Sequence, residues 1–318
     1  MLQPKISLVI PVRDEAATIA TLFEGIDRQV RPPDQIVIVD GGSRDGTPDR
    51  IRELSRGRQN VKLVTTVQAT PGKGRNIGIE AAENAWIALT DAGISLEDDW
   101  LERLVAASSD VDYVQGNFAP VTTTFFTKCA SMAYVPPAQN GKVRGQFIAS
   151  SLVRKDAWKA VGGFPDLRAA EDLIFIENIR KSGFRFAEAP DAMARWELRP
   201  DISSTFRKFI LYSKHNVWAG RQWDWHYGIL RQYVLLLPVI AAALLHSGWW
   251  LVLLPLWLAA RTAKRIAPHR QEFGTGWILN PAAFAFTAFL IIVLDLATFI
   301  GWFEAALKVK PGKTFEES

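Results

Sequence analysis

The sequence predicts an α/β domain on a mostly parallel sheet, followed by a region apolar enough to enter a bilayer. Three observations carry this. Short β-branched runs alternate with helix-spaced segments up to Thr90, charged residues gather where those runs end, and charge disappears from two long stretches towards the C-terminus. Alternating strands and helices bury a sheet between helical layers, and such sheets bind ligands at the carboxyl ends of their strands.

Ile6 to Val12 reads as a buried strand, and Thr18 to Gln29 as a helix with Ile19, Leu22, Phe23 and Ile26 on one face. Gln35 to Val39 is a second strand, closed by Asp40 and the turn Gly41-Gly42-Ser43-Arg44-Asp45-Gly46. Thr47 before Pro48 predicts an N-cap and a helix to Leu54. Val61 to Thr65 is a third strand, Pro71-Gly-Lys-Gly-Arg-Asn76 opens a helix through Ala82, and Trp86 to Thr90 is a fourth strand. Ala169 to Ser182 reads as a helix with Glu171 and Asp172 in its first turn and Leu173, Phe175, Ile176 and Ile179 as its buried side.

Composition narrows the chemistry. With 318 residues, 48% of them apolar, the chain supports a packed core and about two domains. One cysteine, Cys129, excludes an intrachain disulfide framework or a Cys-cluster zinc site, and reads as a small buried residue. The four histidines begin at His215, so acid and base work before that point falls to carboxylates. A net charge of +4 without a basic, aromatic-interleaved module points to a membrane surface and away from nucleic acid. The apolar start turns charged by Arg13, too soon for a signal peptide, so the first domain is expected in the cytoplasm.

Gln232 to Ala260 spans 29 residues without Asp, Glu, Lys or Arg, and Phe273 to Leu294 spans 22. As helices at about 1.5 Å per residue, both exceed a hydrocarbon core of roughly 30 Å. Gly248 divides the first run into a hairpin, which returns Arg261, Lys264, Arg265 and Arg270 to the cytoplasm; a single kinked span would instead leave Lys308, Lys310 and Lys313 inside. Ser203 to Ala219, with Phe206, Phe209, Ile210 and Val217 to one side and Arg207, Lys208 and Lys214 to the other, reads either as an interfacial amphipathic helix or as a soluble-core helix. Asp295 is expected to face protein or a water-filled site. The partition is thus 1–200, an interfacial segment 201–228, a membrane region 229–303 with two or three segments, and a tail 304–318, in a multi-pass inner-membrane protein of open oligomeric state.

Ser7-Leu-Val-Ile-Pro-Val-Arg-Asp-Glu15, Ile38-Val-Asp-Gly-Gly-Ser-Arg-Asp-Gly-Thr47, Gly72-Lys-Gly-Arg-Asn76, Leu89-Thr-Asp-Ala-Gly93, Gly162-Gly-Phe164 and Glu171-Asp172 together resemble a family-2 glycosyltransferase of the GT-A fold, over roughly residues 5–200. The resemblance implies a Rossmann-like nucleotide-diphospho-sugar transferase domain followed by C-terminal transmembrane helices. It implies transfer of a sugar, with inversion, from a nucleotide-sugar donor to an acceptor, and the apolar runs beside such a domain point to a lipid or lipid-linked saccharide as that acceptor. A polyprenyl-phosphate glycosyltransferase is the alternative within the fold, and a non-catalytic membrane protein the alternative outside it.

Carried over by position, the resemblance puts Pro11, Arg13 and Glu15 around the nucleoside, Asp40 on the base or ribose, and Lys73 and Arg75 near the diphosphate or nucleoside. Asp91 takes the first place of the Asp-x-Asp element and the role of ligand to a divalent Mg or Mn ion. Asp172 becomes the base and Glu171 its acceptor-side neighbour. Two departures stand out: Gly93 replaces the second carboxylate of that element, and Asp14 stands where the family often has Asn. Ser150, Ser151 and Phe164 border the acceptor cleft in this reading, and Trp196 either lines it or packs.

Overall fold

A computed structural model describes residues 4–307 as two compact units. The first holds residues up to Val121 and Gln139–Glu197; the second holds Thr122–Ala138 and the residues from Leu198 on. Residues 122–138 thus group with the second unit.

In the first unit the order is β1 (Ile6–Val12), α1 (Ile19–Asp27), β2 (Gln35–Asp40), α2 (Thr47–Leu54), β3 (Val61–Thr65), α3 (Pro71–Ala81) and β4 (Trp86–Leu89). β5 (Ile94–Leu96), α4 (Trp100–Ala106) and β6 (Tyr113–Val121) follow; α5 (Phe125–Tyr134) belongs to the second unit. The first unit resumes with β7 (Ser151–Arg154), α6 (Lys155–Ala160), α7 (Glu171–Lys181) and β8 (Phe186–Glu197). One eight-stranded sheet runs β3-β2-β1-β4-β7-β6-β8-β5. Its first four strands are parallel as predicted, while β7 is antiparallel to both neighbours and β5 antiparallel to β8.

Strand alternation sorts the core. Leu8, Ile10, Ile36 and Ile38 pack with Phe23 and Trp100 on one face, and Val9, Val37, Val39 and Leu89 with Ile79, Phe175 and Ile176 on the other. The chain order reverses between β1 and β4, which opens a crevice at their carboxyl ends. Gly78 brings α3 close to β1, since a Cβ there would lie 2.4 Å from Val9 Cγ1.

Two local expectations are corrected. α2 is capped by Gly46 at φ +88°, because the Thr47 hydroxyl accepts the Glu15 amide at 2.8 Å. In α7 the fully buried apolar residues are Phe175, Ile176 and Ile179, while Leu173 is half-buried.

The second unit gathers α5 with α8 (Ile202–Trp218), α9 (Gly228–Val234), α10 (Leu237–Leu245), α11 (Leu253–Ile266), two single turns α12 (Arg270–Phe273) and α13 (Thr275–Ile278), and α14 (Pro281–Leu307). Among the described residues, two helical stretches are long and apolar enough to cross a membrane: Trp223–Leu245 with 23 residues and Pro281–Leu307 with 27. The 29-residue apolar run does divide. Ser247 is extended, and the Tyr233 ring lies 5.5 Å from Trp257, so the chain returns and brings α11 to α9.

The second apolar run is shifted from its expected place. α14 starts at Pro281, where Asn280 Oδ1 accepts the Ala282 and Ala283 amides, and it continues past Asp295. Asp295 takes both Arg261 Nη1 and Arg261 Nη2, the latter at 2.8 Å, and the Tyr233 hydroxyl at 2.7 Å. The fully buried residues of α8 are Thr205, Ser213, His215 and Asn216; its predicted apolar stripe is half-buried. The cause is close helix contact: a Cβ on Gly301 would lie 2.5 Å from the Ile210 carbonyl, and Ser213 Oγ donates to the Thr298 carbonyl at 2.6 Å. Cys129 is buried, with Sγ 3.9 Å from the Ala283 carbonyl. Lys308, Lys310, Lys313 and the tail beyond residue 307 lie outside the described residues.

Candidate active site

The loops after β1 and β2 are knitted together by backbone donors meeting short polar side chains. The Asp14 amide donates to Ser43 Oγ at 2.8 Å, the Arg44 amide to Asp14 Oδ1 at 2.8 Å, and the Ala16 amide to Asp45 Oδ2 at 2.9 Å. Asp14 sits at φ +57°, a conformation that short Asp and Asn side chains tolerate best, which accounts for either residue at this position. Asp40 is buried and accepts the Gly42 amide at 3.2 Å, the Ser43 amide at 3.3 Å and the Ser43 hydroxyl, so its carboxylate holds the turn that follows it. Glu15 accepts the Thr18 hydroxyl, and Arg13 Nε lies 3.6 Å from Asp14 Oδ2. Pro11 supports the first turn of α3, its Cβ 3.1 Å from where a Cβ on Gly74 would sit.

α3 begins with Thr70 as N-cap, accepting the Lys73 amide at 3.2 Å and donating to Asp166 Oδ1 at 2.6 Å. Gly72 lets this helix end approach the segment before α7, since a Cβ there would lie 2.4 Å from the Pro165 carbonyl. Lys73 is exposed on the same turn. Asn76 brackets the Gly162–Phe164 turn: it donates to the Phe164 carbonyl at 2.8 Å and accepts the Phe164 amide at 2.8 Å and Trp158 Nε1 at 3.0 Å.

Arg75 is the centre of the site. It is 2% exposed, with Nη2 2.7 Å from Asp91 Oδ1 and Nη1 2.9 Å from Glu171 Oε1. The Phe164 ring, stacked on Phe175 at 4.0 Å, lies 5.6 Å from the guanidinium. Ala170, just before α7, adopts φ +68°, a costly angle for a residue with a side chain and one kept where the surroundings fix it. Asp91, Glu171 and Asp172 thus surround one guanidinium, which exceeds its charge. Burial alone would lower the Arg75 pKa, but Asp91, then Glu171 and Asp172, hold it above its usual value. Burial, and then the charge of Asp172, push Glu171 up to about 7. Asp172 is also raised, mainly by burial, although Arg75 and the Leu173 amide at 2.8 Å pull the other way.

The structure therefore brings Arg75, Asp91, Glu171 and Asp172 into one cluster, and Arg13, Glu15 and Asp40 into the paired loops. Arg75, assigned by resemblance to the donor, is enclosed by carboxylates and acts through them. Ser150 Oγ accepts Trp100 Nε1 at 2.8 Å and donates to the Ala192 carbonyl at 3.0 Å, and Ser151 Oγ donates to the Ile148 carbonyl at 2.8 Å, so both hydroxyls are spent internally. Trp196 packs on Phe118 and Phe147. Sequence reasoning missed Thr70, Asn76 and Arg168. Partial burial, and then the like charge of Arg13, hold the Arg168 guanidinium below its usual value. The signal for Asn76 was its place inside the Gly72–Asn76 motif; Arg168 left none.

The residues present do not fit the expected divalent ion. Gly93 offers no ligand, and Oδ1 of Asp91, the remaining carboxylate of the Asp-x-Asp element, is engaged by Arg75.

The model of Glycosyl transferase family 2 matches residues 7–144. "Glycosyltransferase AglE" of Haloferax volcanii is 30% identical over 207 residues, 62% of this chain and 68% of that protein. "Succinoglycan biosynthesis protein ExoA" of Rhizobium meliloti is 26% identical over 80% of this chain and 82% of its own length. A relative from Methanococcus voltae, 22% identical over 65% of this chain and 71% of its own, is named dolichyl N-acetyl-alpha-D-glucosaminyl phosphate 3-beta-D-2,3-diacetamido-2,3-dideoxy-beta-D-glucuronosyltransferase. Among solved structures, mannosyltransferase PcManGT from Pyrobaculum calidifontis in complex with GDP-Man and Mn2+ matches with a TM-score of 0.58 and 19% identity, covering 94% of this chain and 88% of that one. With the sheet order, the ordered motifs and these relatives agreeing, the chain belongs to glycosyl transferase family 2 and is a glycosyltransferase of GT-A fold.

Proposed function

We propose that the enzyme moves a sugar, with inversion, from a nucleotide-diphosphate sugar to a hydroxyl of a lipid or lipid-linked saccharide at the cytoplasmic membrane face. The observation that carries this reading is the crowding of Asp91, Glu171 and Asp172 around one buried guanidinium. Surplus negative charge raises proton affinity, as a general base for a hydroxyl requires. Asp172 takes the acceptor proton as the acceptor oxygen bonds to the anomeric carbon. The bond from that carbon to the diphosphate oxygen breaks, and the nucleoside diphosphate leaves with the electron pair. Arg13 and Lys73 counter the charge on the departing diphosphate. Pro11, Glu15 and Asp40 shape the nucleoside pocket through the paired loops. Glu171 holds Arg75 and positions the acceptor side.

A phosphate acceptor is disfavoured, because it is already anionic and needs no base, whereas Asp172 stands in place as one. An acceptor in the membrane suits a chain whose second unit exposes Leu235, Leu244, Leu245, Trp249 and Trp250 on the α10–α11 hairpin, with Arg231, Lys264 and Arg265 exposed near its base. The division 1–200, 201–228, 229–303 and 304–318 then separates catalysis from attachment. The test is a screen of radiolabelled nucleotide sugars on membranes containing the enzyme, with lipid extraction and NMR of the new anomeric centre. Label reaching the lipid phase with inverted configuration supports the reading; retained configuration, or product only in water, refutes it.

A further inference from the structure

Metal-assisted GT-A chemistry needs an ion that bridges an acidic side chain and the donor diphosphate. Divalent ions such as Mg2+ commonly reach a protein through one or two carboxylates and keep several waters, so the fate of each carboxylate at this site decides whether an ion can stay. Gly93 has withdrawn one. A Cβ at Gly93 would meet no atom within 4 Å, so a side chain has room there and none is present. Asp91 is the other, and its Oδ1 is bonded at 2.7 Å to Arg75 Nη2.

Arg75 cannot easily release it. The guanidinium is 2% exposed and held on its other arm by Glu171 at 2.9 Å, so moving it breaks one buried and one half-buried charge-assisted bond. A divalent ion placed on the remaining oxygen of Asp91 would share that carboxylate with a fixed positive charge. Glu171 offers no replacement, because it is buried and committed to the same guanidinium. Cations stand elsewhere in the loops: Arg13 is half-buried after β1, and Lys73 is exposed at the first turn of α3.

We propose that this enzyme binds its donor and turns over without a divalent ion: the fixed charge of Arg75 occupies the role of the ion at Asp91, and the missing side chain at Gly93 removes the ion's other ligand. Arg13 and Lys73 then meet the diphosphate directly. This rests on the donor-site reading above, and the two fail differently.

The test uses the full-length enzyme in detergent micelles. Calorimetry with UDP, GDP and dTDP in excess EDTA should show one of them binding, with affinity unchanged when Mn2+ or Mg2+ replaces the chelator. Electron paramagnetic resonance of aqueous Mn2+ should show no loss of signal on adding enzyme beyond what the nucleotide alone removes. Gly93→Asp, placed in open space, should take up Mn2+ in the presence of the bound nucleotide, and its thermal melt should match the parent. Binding that appears only with metal, Mn2+ uptake by the parent enzyme, or failure of Gly93→Asp to gain uptake overturns the proposal. If no nucleoside diphosphate binds with or without metal, the donor-site reading itself is wrong.

Discussion

Arg75 in the first unit and Arg261 in the second are both buried arginines that use two nitrogens on carboxylates, yet their charge balance differs. Arg261 meets one carboxylate, Asp295, whose second bond comes from the neutral Tyr233 hydroxyl. The sum is zero and the result is a weld between α11 and α14. Arg75 meets Asp91 and Glu171 with Asp172 close by, so the cluster is left negative and Glu171 rises to about 7. A balanced buried pair gives structure; an unbalanced one stores proton affinity where chemistry can use it.

The comparison breaks most visibly at Asp172. Asp172→Asn should lower turnover by roughly 10²–10⁴-fold with nucleoside diphosphate affinity retained, read by radiolabel transfer and calorimetry. Full activity would remove the base. Next come the two arginines. Arg75→Met and Arg261→Met each strand a buried carboxylate and should cost about 3–5 kcal/mol in denaturation. Only Arg75→Met should move the pH profile. Asp172 must be ionised to act, so activity falls as pH drops through its raised pKa, and removing the cation that lowers that pKa shifts the fall to higher pH. The double change Arg261→Met with Asp295→Leu should restore stability to near the parent value, since an apolar pair replaces a neutral one.

Glu171→Gln sharpens the contrast through stability alone. The acid is at 4.5 when unfolded and about 7 when folded, so its protonated form is favoured in the fold and stability declines as pH rises across that window. The decline is about 3 kcal/mol by that shift, and the glutamine variant should lack it, melting later than the parent at pH values above the window and alike below it. The smallest effect is Thr70→Ala, which removes the α3 cap and the Asp166 bond and should cost about 1 kcal/mol.

How far the sequence could be read depends on the range of the forces involved. β1 and β3 were found residue for residue, the buried β1 and the half-exposed edge strand β3 alike, because each is marked by its own short β-branched run. Thr47 was assigned to the wrong partner because its hydroxyl is claimed by Glu15, 32 residues away. The start of α14 was missed although Asn280-Pro281 is a local cap signal; the apolar count outweighed it. Glu171 and Asp172 stood out through their motif, but the reason they matter lies in Arg75, 96 residues from Glu171. No local spacing reports such a contact.

The Tyr233, Arg261 and Asp295 trio also constrains how the polypeptide is made. An unescorted aspartate or arginine is expensive among acyl chains. Under the proposed membrane attachment, residues 233 and 261 emerge from the ribosome well before 295, and the earlier helices wait at the headgroup boundary until α14 arrives to neutralise them. On that proposal biogenesis of this half is a concerted event, and a ribosome stalled between 261 and 295 should leave its nascent product extractable by alkaline carbonate.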